Sequence, residues 1–232
     1  RLRLGLLLED VAYRFKIHVS TCSEVFTRWV YFLNVNLSSL VLWPSREQID
    51  HMMPVDFRRL FPRCRVVVDC TELFTNRSSS LVTQSLSYSH YKSNMTWKGL
   101  IGITPNGILS FVSDLWLGSI SDQQITNLTH FLDLLEPGDA IMTDKGFDIS
   151  KYTTERQIEL IIPPKRTKLR KMTSAEIIRT RRIAKLRIHV ERYMASVKKF
   201  RILGQGLSET SQPNDIWKVC NALTMLYPPL NT

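Results

Sequence analysis

The spacing of apolar residues changes from a helical to a strand-like period along the chain. Residues 6–33 predict two helices, because their apolar residues recur at intervals of three and four on one face. Later apolar runs, such as those at 66–68 and 140–142, are short and bounded by turn residues, which is typical of buried strands. The pattern therefore predicts a small all-α segment followed by an α/β domain with a mixed sheet.

The two N-terminal helices are separated by a short break over residues 16–20. Two short amphipathic helices across such a break predict a helix-turn-helix within residues 1–41, and its second helix can lie in a DNA major groove. Thr21 and Glu24 form a candidate capping box for that helix. Its outward-facing residues, which we expect to contact DNA, are Ser20, Ser23, Thr27 and Arg28. A plain helical hairpin that packs on the main domain fits the same pattern.

The main domain is predicted over residues 65–205, after a connector at 42–64 with a short helix following Ser45. Its expected elements are a strand at 65–69, a polar loop at 76–94, a hairpin around Asn106-Gly107, a helix at 119–138, a strand within 139–147, a strand near 158–164 and a long helix from Thr173 to about Val197. This order implies a mixed sheet with a crossover helix. We expect residues 206–232 to form a C-terminal tail with a short helix.

Net charge narrows the choice of partner. The chain has 31 Lys and Arg against 21 Asp and Glu, a formal net charge of +10. Such a balance favours a polyanion, above all nucleic acid. The basic residues concentrate in 165–201, and a solvated helix face is the ordinary explanation for such a run. The alternative is contact with the backbone of double-stranded DNA, through Lys165, Arg166, Lys168, Arg170, Lys171, Arg187 and Arg192.

Several features bear on the compartment. The stretch PPKRTKLRK at 163–171 is typical of a nuclear-import signal, so we expect the protein in the nucleus. Glu9 and Asp10 interrupt the apolar opening too early for a signal peptide, and no apolar run is long enough to span a membrane. The four cysteines form no C-x-x-C pair, and we expect reduced thiols. The sequence begins with Arg1, so we expect a truncated N-terminus.

Three carboxylates are candidates for chemistry. Asp69 and Asp144 each follow an apolar strand-like run, and strand ends in one sheet can bring such groups together on one edge. Glu191 lies on the long helix, on a face shared with Ala184, Ile188 and Ala195 that we expect to pack on the sheet. Three carboxylates suit two Mg²⁺ or Mn²⁺ ions about 3.5–4 Å apart that act on a phosphodiester.

Each candidate also has an ordinary explanation. An Asp before a turn is often only a turn residue, and Glu191 with Arg187 four positions earlier is often a weak surface ion pair. Asp122 and Glu72 are further carboxylates with no assigned role in the metal site, and Asp122 is explained as a first-turn charge that the helix dipole favours. Spacing alone leaves the metal site and the ordinary explanation both open.

Six sequence blocks follow one another along the chain, namely PSREQIDHMMP, VVVDCTE, YSHYKSNMTWKGLIGITPNG, GSISDQQIT, LLEPGDAIMTDKGFDI and TRRIAKLRIHVERYMASVKKFRIL. In this order they resemble the DDE superfamily endonucleases, that is, the Harbinger-like transposases and proteins derived from them. The resemblance implies an RNase H-like fold, a mixed sheet flanked by helices, with an Asp-Asp-Glu triad that binds two divalent metal ions. Asp69, Asp144 and Glu191 match that triad position by position. LEDVAYRFKIHVSTCSEVFTRW resembles the preceding helix-turn-helix, with Lys16 where Gly is common.

The resemblance implies a divalent-metal-dependent DNA endonuclease of transposase type, which cleaves a phosphodiester to leave a 3′-hydroxyl. One alternative is a catalytically silent, domesticated DNA-binding protein. Another is an RNA/DNA-hybrid hydrolase, since the same fold serves hybrids as well. Double-stranded DNA is the expected partner. A separate DNA-binding protein and a second copy of the chain remain open as further partners.

Overall fold

A mixed β-sheet lies at the centre of the structure, a computed structural model that describes residues 1–164, 172–208 and 211–227. Within this part of the chain the strands are β1 (Cys64–Phe74), β2 (Tyr88–Ser89), β3 (Asn94–Ile103), β4 (Leu109–Val112), β5 (Trp116–Leu117), β6 (Ala140–Met142) and β7 (Glu159–Ile161). The α-helices are α1 (Leu8–Phe15), α2 (Val19–Leu37), α3 (Arg46–Met52), α4 (Val55–Leu60), α5 (Leu81–Ser87), α6 (Asp122–Leu128), α7 (Ser150–Glu155), α8 (Ser174–Val197) and α9 (Pro213–Met225). The predicted mixed sheet flanked by helices is confirmed.

Strand β1 occupies the middle of the sheet, in the order β2-β3-β1-β6-β7. It pairs antiparallel with β3 and parallel with β6, and β7 continues the parallel half. Strands β4 and β5 both pair with β3, so the hairpin predicted around Asn106-Gly107 is confirmed. Gly107 has a φ of +86°, a conformation that glycine adopts without steric cost.

The two faces of the sheet are covered by different helices. Alternate residues of a strand point to opposite faces, so Val67 and Val66 belong to separate cores. Val67 packs in the cluster that contains Val190 of α8 and Trp217 of α9. Val66 packs in the cluster that contains Ile125 of α6. From Val67 onward, a side chain at an odd position of β1 therefore lies on the α8 side of the sheet.

Strand β1 is longer than its apolar run predicts. The expectation that Asp69 ends the strand is wrong, because β3 pairs with β1 from Val67 through Phe74 and places Asp69 opposite Ile101. The neighbour on the other side is shorter: β6 stops at Met142, opposite Val67. Asp69 is thus held within a paired strand, beyond the point where β6 ends.

Helix boundaries follow the local signals in part. The capping box Ser121/Gln124 begins α6 as predicted, but a break at His130 (φ +53°) replaces the single helix expected over 119–138 with α6 and a 3₁₀ turn at Phe131–Leu134. The segment 76–94 is not only loop, because it contains α5, capped by Ser80. Helices α4 and α7 have no counterpart in the sequence prediction.

Helix α8 begins at the predicted Thr173/Glu176 capping box and ends at the predicted Val197. Its expected sheet-facing side is wrong, because Ala184, Ile188 and Ala195 are exposed. The buried side instead carries Ile183, Leu186, Arg187, Val190, Met194 and Val197. Glu191 therefore lies at the exposed margin of the helix.

The N-terminal helices meet at Lys16, whose φ of +52° forms the left-handed turn between α1 and α2. The N-cap of α2 is His18, not Thr21, because the His18 ring accepts the Ser20 backbone N–H. Cys22 and Val30 of α2 are buried, whereas the apolar side chains of Phe15, Val25 and Trp29 are exposed.

Helix α9 confirms the short helix predicted in the C-terminal segment, and it is part of the core. Trp217 is fully buried and its indole N–H donates to the carbonyl of Ser113. Asn34 of α2 donates to Asp215 of α9 over 2.7 Å, which joins the N-terminal helices to the sheet domain. In the described residues, none of the helices is both long and apolar enough to cross a membrane.

Candidate active site

The ends of β1 and β6 bring two of the predicted carboxylates together. Parallel pairing sets Val67 beside Met142, and Asp69 and Asp144 each follow two residues later on the same side of the sheet. Asp69 is fixed by its pairing with β3, whereas Asp144 lies in the loop after β6. Helix α8 crosses this side of the sheet and supplies Glu191.

Arg187 lies at the centre of these carboxylates. Its guanidinium Nη1 is 2.8 Å from Asp144 Oδ1 and 3.9 Å from Glu191 Oε1, and its Nη2 is 3.6 Å from Asp69 Oδ2. The Arg187 side chain is only 8% exposed, while those of Asp144 and Glu191 are 55% and 58% exposed. The structure therefore gathers the three predicted site residues around one buried cation.

Asp69 is the most buried of the three carboxylates. Burial raises its pKa from 3.8 to about 6, against the opposing effects of the Arg187 charge and a hydrogen bond from the Cys70 backbone N–H. The nearby Asp144 charge raises the pKa further. A carboxylate that has lost solvation in this way gains more from an additional cation than an exposed one does.

The donor set fits a hard divalent cation. All three groups are carboxylates, the ligand type that Mg²⁺ and Mn²⁺ prefer. Among the described residues, no three His, Cys, Asp or Glu side chains form a ready-made cluster for a metal ion. Mg²⁺ needs no such cluster, since it commonly takes one or two carboxylates and keeps several waters.

A second group of charges lies on the opposite face of the sheet. Lys98 of β3 is 3.0 Å from Asp122 and 3.9 Å from Glu72, its cross-strand partner. Lys98 also donates to the carbonyl of Ile120, and Thr96 donates its hydroxyl to Glu72. The two carboxylates without an assigned role are thus engaged by protein groups.

The residues predicted to contact DNA are placed differently from one another. Ser20, Thr27 and Arg28 are exposed on α2, Ser23 is half-buried, and Arg28 pairs with Glu24 over 2.6 Å. The prediction for Arg187 is corrected, because a side chain buried among three carboxylates is not a free backbone-binding cation.

Arg192 is exposed on α8 and lines a cavity of about 650 Å³ together with Arg3 and Lys199. The remaining predicted contacts, namely Lys165, Arg166, Lys168, Arg170 and Lys171, lie outside the described residues.

Comparison with protein families agrees with this architecture. Residues 68–227 match the model of the DDE superfamily endonucleases, and residues 1–39 match that of the helix-turn-helix of DDE superfamily endonucleases. The chain therefore belongs to the DDE superfamily endonucleases, a transposase-type nuclease family, and its mixed sheet is the RNase H-like fold. Neither the curated proteins nor the solved structures gave a match.

The sequence prediction missed the position of Arg187 among the triad. The spacing of four residues between Arg187 and Glu191 indicates a helical ion pair, and the structure contains that contact at 3.9 Å. Nothing in the local sequence shows that the same guanidinium also reaches Asp69 and Asp144, since both contacts depend on how α8 crosses the sheet.

Proposed function

We propose that the protein is a divalent-metal-dependent DNA endonuclease of transposase type, with Asp69, Asp144 and Glu191 as the metal-binding triad. The observation that carries the proposal is that these carboxylates, from three separate elements, converge on one guanidinium while two of them stay more than half exposed. Carboxylate oxygens that are close together and still accessible are what two Mg²⁺ or Mn²⁺ ions need.

Each triad residue would have a role in metal binding that follows from its position in the fold. Asp69 would be the fixed ligand, because it lies within a paired strand. Asp144 and Glu191 would be the more accessible ligands, because each keeps more than half of its side-chain surface in solvent. When bound, the ions would supply a nucleophilic water and stabilise negative charge on the scissile phosphodiester.

DNA contact is proposed to come from two surfaces. Ser20, Thr27 and Arg28, which are exposed on α2, would contact duplex DNA through the helix-turn-helix. Arg192 of α8 and the basic segment 165–171 would contact the phosphate backbone of the DNA. The same basic segment supports location in the nucleus, where double-stranded DNA is available.

Nicking of supercoiled duplex DNA tests this proposal. We expect nicking that requires Mg²⁺ or Mn²⁺ and disappears in Asp144→Asn and Asp69→Asn variants that melt cooperatively. Asp114→Asn is a matched control, because Asp114 is 56% exposed and pairs with Lys218, which is not one of the residues that contact the triad. Nicking that survives both triad substitutions would place the active site elsewhere.

DNA binding without cleavage is the second candidate function. It is favoured by one observation, that Arg187 already contacts all three carboxylates. Duplex binding in a gel-shift assay, combined with no metal-dependent nicking under any condition, would support it. Competition between duplex DNA and an RNA/DNA hybrid for the same protein would separate the hybrid-hydrolase alternative from both.

A further inference from the structure

Arg187 is an unusual neighbour for a metal-binding triad, because it is a permanent cation with little freedom to leave. It lies on the buried face of α8 between Leu186 and Val190, and its side chain is 8% exposed. Its Nε is buried without a hydrogen-bond partner in the described residues, so its polar contacts are made through the Nη atoms. Both Nη atoms are directed at triad carboxylates.

The positive charge of Arg187 has two opposing effects on the triad. Three carboxylates around one point repel each other, and Arg187 offsets that repulsion at distances of 2.8, 3.6 and 3.9 Å. The same positive charge also weakens the attraction between the triad and any incoming cation. Its shortest contact occupies Asp144 Oδ1, the accessible carboxylate next to β6.

Charge balance indicates what must change before two divalent ions can enter. The triad and Arg187 together carry a net charge of about −2, which two divalent ions would exceed by about two positive charges. A bound DNA backbone brings phosphate charges to this point and offsets that excess. Without Arg187 the triad alone carries about −3, so the site depends less on DNA for its negative charge.

We propose that Arg187 is a positioning residue that couples metal loading to DNA binding. It holds the triad carboxylates together in protein without DNA and disfavours divalent ions there until the phosphodiester backbone arrives. This inference rests on the proposed function, since it requires that the triad binds metal.

Mn²⁺ titration calorimetry on the full chain tests the coupling. We expect Arg187→Gln to bind Mn²⁺ in the absence of DNA at least tenfold more tightly than the unsubstituted protein. Arg181→Gln is the matched control, because Arg181 is exposed on the same helix, and it should bind as the unsubstituted protein does. Addition of a duplex oligonucleotide should tighten Mn²⁺ binding to the unsubstituted protein more than to Arg187→Gln.

Thermal melting adds a readout that does not depend on cleavage. In EDTA, Arg187→Gln should melt below the unsubstituted protein, because the triad repulsion is no longer offset. Mn²⁺ should then raise its melting temperature by a larger increment. If Arg187→Gln does not fold, Arg187→Lys serves in its place. It retains the charge without the planar fork and should bind Mn²⁺ more tightly than the unsubstituted protein, by a smaller factor.

Equal or weaker Mn²⁺ binding by a folded Arg187 variant would overturn the coupling and leave Arg187 a purely structural role. A different result tests the proposed function itself. If the unsubstituted protein, Arg187→Gln and Asp144→Asn all fail to bind Mn²⁺ with and without duplex, then the triad is not a metal site and both proposals fall.

Discussion

Strand β1 contributes one carboxylate to each of two charged groups, which lie on opposite faces of the sheet. The two carboxylates, Asp69 and Glu72, are three residues apart in the strand. On the α8 side, Arg187 contacts Asp69, Asp144 and Glu191. On the α6 side, Lys98 contacts Glu72 and Asp122. Each group has one nearly buried cation among its carboxylates. In the sequence the two groups look alike, because both appear only as acidic residues near apolar strands. The two groups differ in how much of each carboxylate the protein itself uses.

The Lys98 group is closed, in the sense that other protein groups already engage its charges. Glu72 is 9% exposed and accepts from Thr96, and Lys98 is held by both Asp122 and a backbone carbonyl. The Arg187 group is open, because Asp144 and Glu191 keep more than half of their side-chain surface in solvent. A candidate metal site is therefore recognised by carboxylate oxygens that remain available to a ligand. Proximity of acidic residues to a cation is not sufficient.

The largest expected effect separates the two groups by activity. Glu191→Gln should reduce metal-dependent nicking by at least about a hundredfold, since metal stabilisation of a transition state is worth several kcal/mol. Glu72→Gln should retain most of the nicking, because its carboxylate is already satisfied by Thr96 and Lys98. Rates are measured on folded protein at a temperature well below each variant's melting point. Equal loss in both variants would break the distinction between open and closed groups.

The next largest effect is a loss of stability in the closed Lys98 group when its buried cation is removed. Lys98→Met leaves Glu72 without its buried cation, which should lower the free energy of unfolding by about 2–4 kcal/mol. Urea unfolding in EDTA measures this directly. Lys218→Met is the control, because Lys218 pairs with an Asp114 side chain that is more than half exposed. A loss below about 1 kcal/mol for Lys98→Met would show that the buried pair is energetically neutral.

A pH-dependent effect should distinguish Asp69 from an ordinary aspartate. Its folded-state pKa is raised to about 6, so between about pH 4 and 6 the folded protein holds a proton that the unfolded chain has lost. Stability of the metal-free protein should therefore fall as pH rises through this window, by roughly 2 kcal/mol at about 1.4 kcal/mol per pKa unit.

Asp69→Asn cannot lose that proton, so the difference in unfolding free energy between Asp69→Asn and the unsubstituted protein should grow from pH 4.5 to 7.5. Urea unfolding in EDTA at several pH values provides the comparison. A difference that is constant with pH would mean that Asp69 keeps an ordinary pKa.

The smallest effect is expected at an ion pair on the protein surface. Lys185 of α8 is 2.7 Å from Asp56 and lowers the pKa of that carboxyl through a hydrogen bond. The stabilisation is present above the ordinary Asp pKa and is lost as pH falls below it. Because solvent screens this pair, Lys185→Met should leave the urea midpoint at neutral pH unchanged within error. A marked shift would show that α8 is more sensitive to single charges than its exposure indicates.

The sequence predicts the features of this fold that are determined locally. The capping boxes Ser121/Gln124 and Thr173/Glu176 and the hairpin at Asn106-Gly107 form as expected, since each depends on residues within a few positions. The full length of β1 was not predictable, because its second half is defined by pairing with β3 and not by its own apolar run.

The sheet-facing side of α8 was also not predictable, for a related reason. The helix carries apolar residues on more than one side, including exposed Ile177, Ile178 and Ile188, so its periodicity does not select one face. The contacts of Arg187 with Asp69 and Asp144 follow from that choice of face. The sequence could therefore name the three carboxylates and pair Arg187 with Glu191, but it could not show that Arg187 lies among all three.

Because β6 ends at Met142, insertions should affect Asp69 and Asp144 differently. One residue inserted in β1 ahead of Asp69 would turn this carboxylate to the opposite face of the sheet, because side chains alternate along a strand. Among the described residues, the loop that holds Asp144 has no β-partner beyond Met142, so a change in its length would leave the strand registers intact. Over evolutionary time, insertions and deletions should therefore be excluded more strictly around Asp69 than from that loop.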